Sequence, residues 1–298
     1  MHTHEYKLTS GDLKAVFLPG LGMLCASLQH RGEEVLRRID DLQALAAKGS
    51  TAGIPLLYPW ANRLAVPRYH AAGMEVTLDT SSPLLHRDEH GLLNHGVPWS
   101  LLSWNVVTAK PDRLVSRFDW NTQKLLGVFP FRHHLEMAAL LSPQHLTIEL
   151  TVLAEDPVPV SFGFHPYLGI PGLQREEWRV NLPAMRKIVL DENKIPTGEE
   201  QPFDAIDRLL GEMDLDAGFI VPGDRAAFSI AGAGRRITVE LLENYAYTQI
   251  FAPKGRDFIA LEPMTAPANA LISKRGLGIV PAHGTFRASF RICVESGN

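Results

Sequence analysis

Two residues in this chain are best suited to chemistry: a histidine set among aromatics and a glutamate closing an apolar run. His165 lies in Ser161-Phe-Gly-Phe-His-Pro-Tyr-Leu168. Gly163 can take backbone angles that other residues avoid, and Pro166 stops regular pairing, so the stretch predicts a strand end with the imidazole held in a fixed direction. An imidazole titrates near neutrality and can give or take a proton, although a merely packed core histidine reads the same way in sequence. Glu262 follows the run Phe258-Ile-Ala-Leu261 and precedes Pro263-Met-Thr-Ala-Pro267. An acid placed there is expected to be partly desolvated, which raises its pKa and makes it a usable base at neutral pH. The plain alternative is a strand-end glutamate in water, and the bracketing prolines favour a fixed loop over a frayed end.

Two further stretches combine turn formers with polar residues in apolar settings. Gly53-Ile-Pro-Leu-Leu-Tyr-Pro-Trp-Ala61 leads into Asn62-Arg63-Leu64. An arginine there either forks onto hydroxyls or a carboxylate, or is a surface residue on a loop. Asn94-His95-Gly96-Val97-Pro98-Trp99 puts a histidine before a turn glycine. Trp99 either stacks on the apolar face of a sugar ring or fills the core. His86-Arg-Asp-Glu89-His90 matches the H-x-x-E-H zinc peptidase pattern, but that chemistry needs both histidines on a long helix. Pro83 and Gly91 leave little room for one. Gly20-Leu-Gly22 lacks the third glycine of a dinucleotide site, and no Gly-x-Ser-x-Gly elbow occurs.

The elements that must position these residues read as strands. Short runs rich in Val, Ile, Phe and Thr, bounded by Gly, Pro or Asp, recur from 13–18 to 286–294. In Arg236-Ile-Thr-Val-Glu-Leu-Leu242 the apolar residues alternate cleanly. Gly232-Ala-Gly234 and Pro111-Asp112 read as turns between strands. Helical signal is sparse: 40–48, with Asp40 as cap, and 205–213 are candidates, and 131–141 is ambiguous between strand and helix. With no fixed-period repeat and no long linker, the chain of 298 residues predicts an all-β fold, one large antiparallel β-sandwich spanning 1–298. A net charge of -4 argues against a nucleic-acid partner, and no apolar run is long enough for a membrane span. Cys25 and Cys293 lack ligand-like spacing and read as buried thiols in a reducing, cytoplasmic compartment, with a bridge left open.

Taken in order, Asn62-Arg63-Leu64, His95-Gly96, Gly163-Phe-His165-Pro-Tyr167, Leu215-Asp216-Ala-Gly-Phe219, Glu262-Pro-Met-Thr265 and Pro267-Ala-Asn-Ala-Leu271 resemble the aldose 1-epimerase (galactose mutarotase) family over nearly the whole chain. Leu168 stands where the family usually has Phe, and Leu64 where Ile is common. The resemblance implies the mutarotase-like supersandwich with a sugar cleft and few short helices. It implies a small sugar as substrate, interconverted between α and β anomers by ring opening and reclosure, with no cofactor and no metal. Glu262 then matches the general base and His165 the general acid, with His95 the second active-site histidine. Arg63, Asp216, Asn62 and Tyr167 match substrate contacts, although Asp214 competes with Asp216. On the chemistry of the pair, a cationic His165 beside Glu262 is expected to hold its pKa down, so that the base starts as a carboxylate. Two rivals share this cleft. A hexose-6-phosphate epimerase would need a phosphate cradle, for which Lys274-Arg275-Gly276 is the candidate, and a sugar-binding protein without turnover would not need both Glu262 and His165. Neither the identity of the aldose nor the oligomeric state is legible in the sequence.

Overall fold

The computed structural model describes residues 4–37, 41–47, 50–223 and 225–296. Two large antiparallel sheets dominate. One has nine strands, in the order Asn105–Lys110, Arg113–Trp120, His133–Leu141, His145–Ala154, Thr285–Ser296, Arg235–Glu243, Ala227–Gly232, Arg179–Leu182 and Ile206–Leu209. The other runs Pro196–Phe203, Met185–Leu190, Leu215–Ile220, Tyr247–Ala252, Ile259–Met264, Gly163–Phe164 and Leu56–Leu57, with Tyr167–Leu168 also pairing Ile259–Met264. A four-stranded sheet over Tyr6–Ser10, Leu13–Leu18, Leu24–His30 and Glu33–Glu34 precedes them.

Alternation explains the layering. In His145–Ala154 every second side chain, from Leu146 to Ala154, is buried, and the intervening ones face outward. The inner faces meet in a continuous apolar core, where Phe164 of one sheet packs on Phe290 of the other at 5.1 Å between ring centroids. Strand Ile259–Met264 departs from this pattern, because all of its residues are buried. Ile259 and Leu261 join the core, so Ala260 and Glu262 point to the opposite face. That opposite face is the floor of a cleft.

Residues 131–141 resolve as strand, His133–Leu141. The helix expected over 205–213 is instead the edge strand Ile206–Leu209, where pairing with Arg179–Leu182 overrides a weak local preference. A helix does form at Leu42–Ala47, started by Asp41, whose carboxylate accepts from the Ala44 amide at 2.9 Å, while Asp40 lies outside the described residues. Ala233 and Gly234 both take positive φ in the two-residue turn between Gly232 and Arg235, as that hairpin geometry requires. Cys25 is buried and Cys293 half-buried, and both are free thiols. Among the described residues no helix is long and apolar enough to cross a membrane.

Candidate active site

A cleft of about 570 Å³ opens over the strands Leu215–Ile220, Tyr247–Ala252 and Ile259–Met264. It brings together His165, Glu262, His95, Arg63, Asp216, Asn62 and Tyr167, which lie far apart in the chain. His165 Nε2 and Glu262 Oε1 are 3.2 Å apart, with side chains only 7% and 2% exposed.

The local sequence explains that approach. The strand pair Gly163–Phe164 and Ile259–Met264 aligns Gly163 with Met264. A Cβ on Gly163 would stand 2.2 Å from Met264 Sδ and 2.7 Å from the Pro263 carbonyl. Glycine is therefore needed for close approach and not, as its neighbours suggested, for unusual backbone angles, since Gly163 is not among the positive-φ residues. The amides of His165 and Tyr167 then donate to the carbonyls of Pro55 and Gly53, at 3.2 and 3.0 Å. Tyr167 stacks on the imidazole, with centroids 4.2 Å apart and planes 16° apart, and its hydroxyl lies 3.4 Å from Nε2. That hydroxyl is also hydrogen-bonded to Thr51 Oγ1. Tyr167, expected as a sugar contact, therefore spends its hydroxyl on Thr51 and the histidine. The Glu262 main chain is pinned by Thr248, whose hydroxyl donates to its carbonyl at 2.9 Å.

Burial drives both members of the pair toward neutrality. It pushes Glu262 well above the usual carboxyl range, with the charge of Asp216 adding to the rise and Arg63 opposing it. It pushes His165 well below the usual imidazole range, with His95 contributing. The expectation of a carboxylate held down by a cationic imidazole is thus corrected. Burial favours the neutral form of each member, a carboxylic acid facing a neutral imidazole. Two polar atoms, Glu262 Oε2 and His165 Nδ1, are buried without a hydrogen-bond partner among the described residues. Such atoms are costly to leave unpaired, and these two belong to side chains that line the cleft.

His95 is fixed differently. Asn62 and His95 both take positive φ, and the Asn62 amide donates to His95 Nδ1 at 3.1 Å. A ring nitrogen that accepts carries no proton, so the hydrogen of this imidazole is on Nε2. Burial, with Arg63 and His86 adding, pushes its pKa down to about 3. His95 is therefore a neutral hydrogen-bond donor across the working pH range. A Cβ at the next residue, Gly96, would sit 2.3 Å from the Tyr58 carbonyl, which is why glycine follows it.

Arg63 lines the cleft, but its guanidinium is bound to Asp88 and lies 3.5 Å from Glu89. Both acids come from the stretch that mimicked a zinc motif. That stretch is a turn, in which Asp88 Oδ1 accepts from the amides of His90 and Leu92. Asp216 faces the cleft, and Asp214 instead accepts from the Lys254 amide at 3.3 Å. Gln249, which sequence reasoning missed, sits in register with Glu262 and donates to Asp216 Oδ1 at 2.7 Å. Only strand pairing reveals it. Trp99 is buried against Leu18 and Leu24, with its indole N–H on the Ser50 carbonyl at 3.1 Å, so it fills core and offers the cleft an edge. Lys274 and Arg275 lie outside the cleft: Lys274 Nζ donates to the Leu271 carbonyl, and Arg275 pairs with Glu200 at 2.8 Å. They are not its phosphate cradle.

The aldose 1-epimerase family profile matches residues 4–293. The chain belongs to the aldose 1-epimerase family. An uncharacterized Escherichia coli protein, YihR, is 24% identical over 250 residues, covering 80% of this chain and 77% of its own. Among solved structures, Slr1438 from Synechocystis superposes with a TM-score of 0.79 at 24% identity, covering 99% of this chain and 97% of its own. The GalM/aldose epimerase homologue from C. elegans superposes with a TM-score of 0.82 at 16% identity, covering 99% and 100%. A galactose 1-epimerase from Lactobacillus acidophilus gives 0.77 at 14%, covering 97% and 93%. This member of the aldose 1-epimerase family therefore has the mutarotase-like β fold.

Proposed function

We propose that the protein is an isomerase that interconverts the α and β anomers of an aldose, with Glu262 as base and His165 as acid. The observation that carries this reading is the buried contact of 3.2 Å between Nε2 and Oε1 at the bottom of a sugar-sized cleft. Family membership supports the reaction class, as does the Lactobacillus acidophilus relative described as a galactose 1-epimerase.

The chemistry follows from one shared proton. A bound pyranose inserts its anomeric hydroxyl and ring oxygen between the two groups, and its polar atoms favour the ionic form, carboxylate and imidazolium. Glu262 takes the proton from the C1 hydroxyl as the C1–O5 bond breaks, and His165 Nε2 delivers its proton to O5. The aldehyde turns about C1–C2. O5 then attacks the other face of C1, Glu262 returns its proton to O1 and His165 recovers one from O5. Concerted transfer avoids both charged intermediates, and each group contributes about 10²–10⁴ in rate. The step balances without a redox partner. His95, a neutral donor, stabilises the negative charge developing near the ring oxygen. Asp216 and Gln249 hold ring hydroxyls, with Arg63 orienting the wall through Asp88 and Asn62 holding His95. Tyr167 keeps the imidazole in line.

The continuous apolar core supports treating residues 1–298 as one domain. The two free thiols fit a cytoplasmic setting. The reading is tested by polarimetry of freshly dissolved α-galactose and α-glucose with and without protein. Faster decay of the rotation to the same end point is expected. Binding of sugar with no change in the spontaneous rate would leave a sugar-binding protein in its place.

A further inference from the structure

Resting on the mutarotase reading of the cleft, we infer that Arg37 and Arg256 form an anion-recognising subsite. The substrate class is then an aldose carrying a negatively charged group on the end of the ring remote from the anomeric carbon.

The strand register sets the direction. Glu262 and Phe258 line the cleft, and Ala260 lies between them along the chain, on the side of the strand away from the core. Tyr167 and Phe251 both pair with Ala260, between the other two. A pyranose with C1 at Glu262 thus has its ring over Tyr167 and Phe251 and its far substituent toward Phe258. At that end the Arg37 guanidinium lies 4.8 Å from the Phe258 ring centroid and 6.0 Å from that of Tyr167. Arg256 stands two residues before Phe258, and its carbonyl accepts the Phe258 amide at 2.9 Å. Stacking uses the face of a guanidinium and leaves its N–H edge free to fork onto an oxyanion.

Charge pairing separates these two arginines from the third that lines the cleft. Arg63 in the same cleft is neutralised by Asp88, and Arg275 and Arg235 are paired with Glu200 and Glu33. Among the described residues no carboxylate is bonded to the guanidinium of Arg37 or Arg256. Glu33, Glu34 and Asp257 line the neighbouring groove that shares both arginines with the cleft. Glu33 is held by Arg235, and Glu34 by the Ser27 hydroxyl and the amides of Leu28 and Leu36, which leaves exposed Asp257 as the remaining acid. Two cations with no counter-ion among the described residues, at the mouth of a cleft, concentrate anions, and a neutral hydroxymethyl group would accept a hydrogen bond there but neutralise neither charge. The anion could be a sugar carboxylate or a phosphate ester, since both offer the paired oxygens a guanidinium forks onto.

The test compares matched sugars by exchange NMR on the whole protein: galactose with galacturonate, glucose with glucuronate, and glucose with glucose 6-phosphate. The expected result is kcat/KM at least about tenfold higher for one acidic class, the uronate or phosphate arm deciding which. Arg37→Gln and Arg256→Gln should each lower the ratio of acidic to neutral kcat/KM by about 10- to 100-fold. Neutral sugars turned over as well as both acidic classes, or a variant that slows acidic and neutral sugars equally, would overturn the subsite while leaving the mutarotase reading in place. Failure of every sugar to turn over would overturn both.

Discussion

Two buried histidines in this molecule have opposite characters. His133 is 0% exposed and its hydrogen bonds are complete: Nδ1 is 2.6 Å from the Phe131 carbonyl and Nε2 2.6 Å from the Tyr58 hydroxyl. It stacks on Trp120 with planes 15° apart. His165 is 5% exposed, yet its Nδ1 has no partner and its Nε2 faces an ionisable group that is itself half unpaired. Burial lowers the pKa of both, to about 4 for His133 and well below the ordinary value for His165. A depressed pKa therefore does not separate structure from chemistry. Unused hydrogen-bonding capacity beside a cleft does.

Substitutions at the two sites sharpen that contrast. Glu262→Gln should lower turnover by about 10²–10⁴ with sugar still bound, as polarimetry and titration would register. The same change should raise the melting temperature at neutral pH. A carboxyl whose folded pKa lies above its unfolded value contributes fully below the unfolded pKa of 4.5 and loses that contribution as pH rises. Glutamine has no such loss, so the gain should shrink as pH falls toward 4.5. Unaltered turnover in Glu262→Gln would remove it from the reaction.

His165→Asn should lower kcat by about 10² or more with little change in KM, and a change confined to KM would make His165 a binding residue. His133→Gln should do the reverse, costing about 1–3 kcal/mol of stability by chemical denaturation and leaving kcat intact. The wild-type fold should weaken as pH falls from 6.5 toward about 4, because a histidine buried neutral gives its stability above its unfolded pKa and loses it below. His133→Gln should flatten that slope in part, since His95 and His165 contribute in the same direction. The smallest effect is expected from Tyr167→Phe, which keeps the stack on His165 and removes the hydroxyl. A fall in kcat of about 3- to 10-fold, with a displaced pH profile and steady KM, would mark it as a positioning residue, and a rise in KM alone would mark it as a sugar contact.

The strands were legible because alternation writes itself into composition: Leu13–Leu18 and Tyr247–Ala252 lie where their apolar runs predict. Glu262 was legible because an acid at the end of Phe258–Leu261 has few reasons to be there. Gln249 and Asp88 were not, since their roles arise from which strand or loop lies opposite, and that information is not local. The raised pKa of Glu262 was legible from the apolar run before it, but the cationic His165 was misread, because the depth of burial that decides it arises only when distant strands pack together. The helix expected at 205–213 failed because an edge strand takes its form from its partner.

The central claim is that Glu262 and His165 act on one sugar in one step. The double variant Glu262→Gln with His165→Asn, assayed by exchange NMR beside the two single variants, tests it most directly. Groups acting as a unit are lost together, so the double variant should be no slower than the slower single one. Losses that multiply would mean that the two residues act independently, and the account of a shared proton would be wrong.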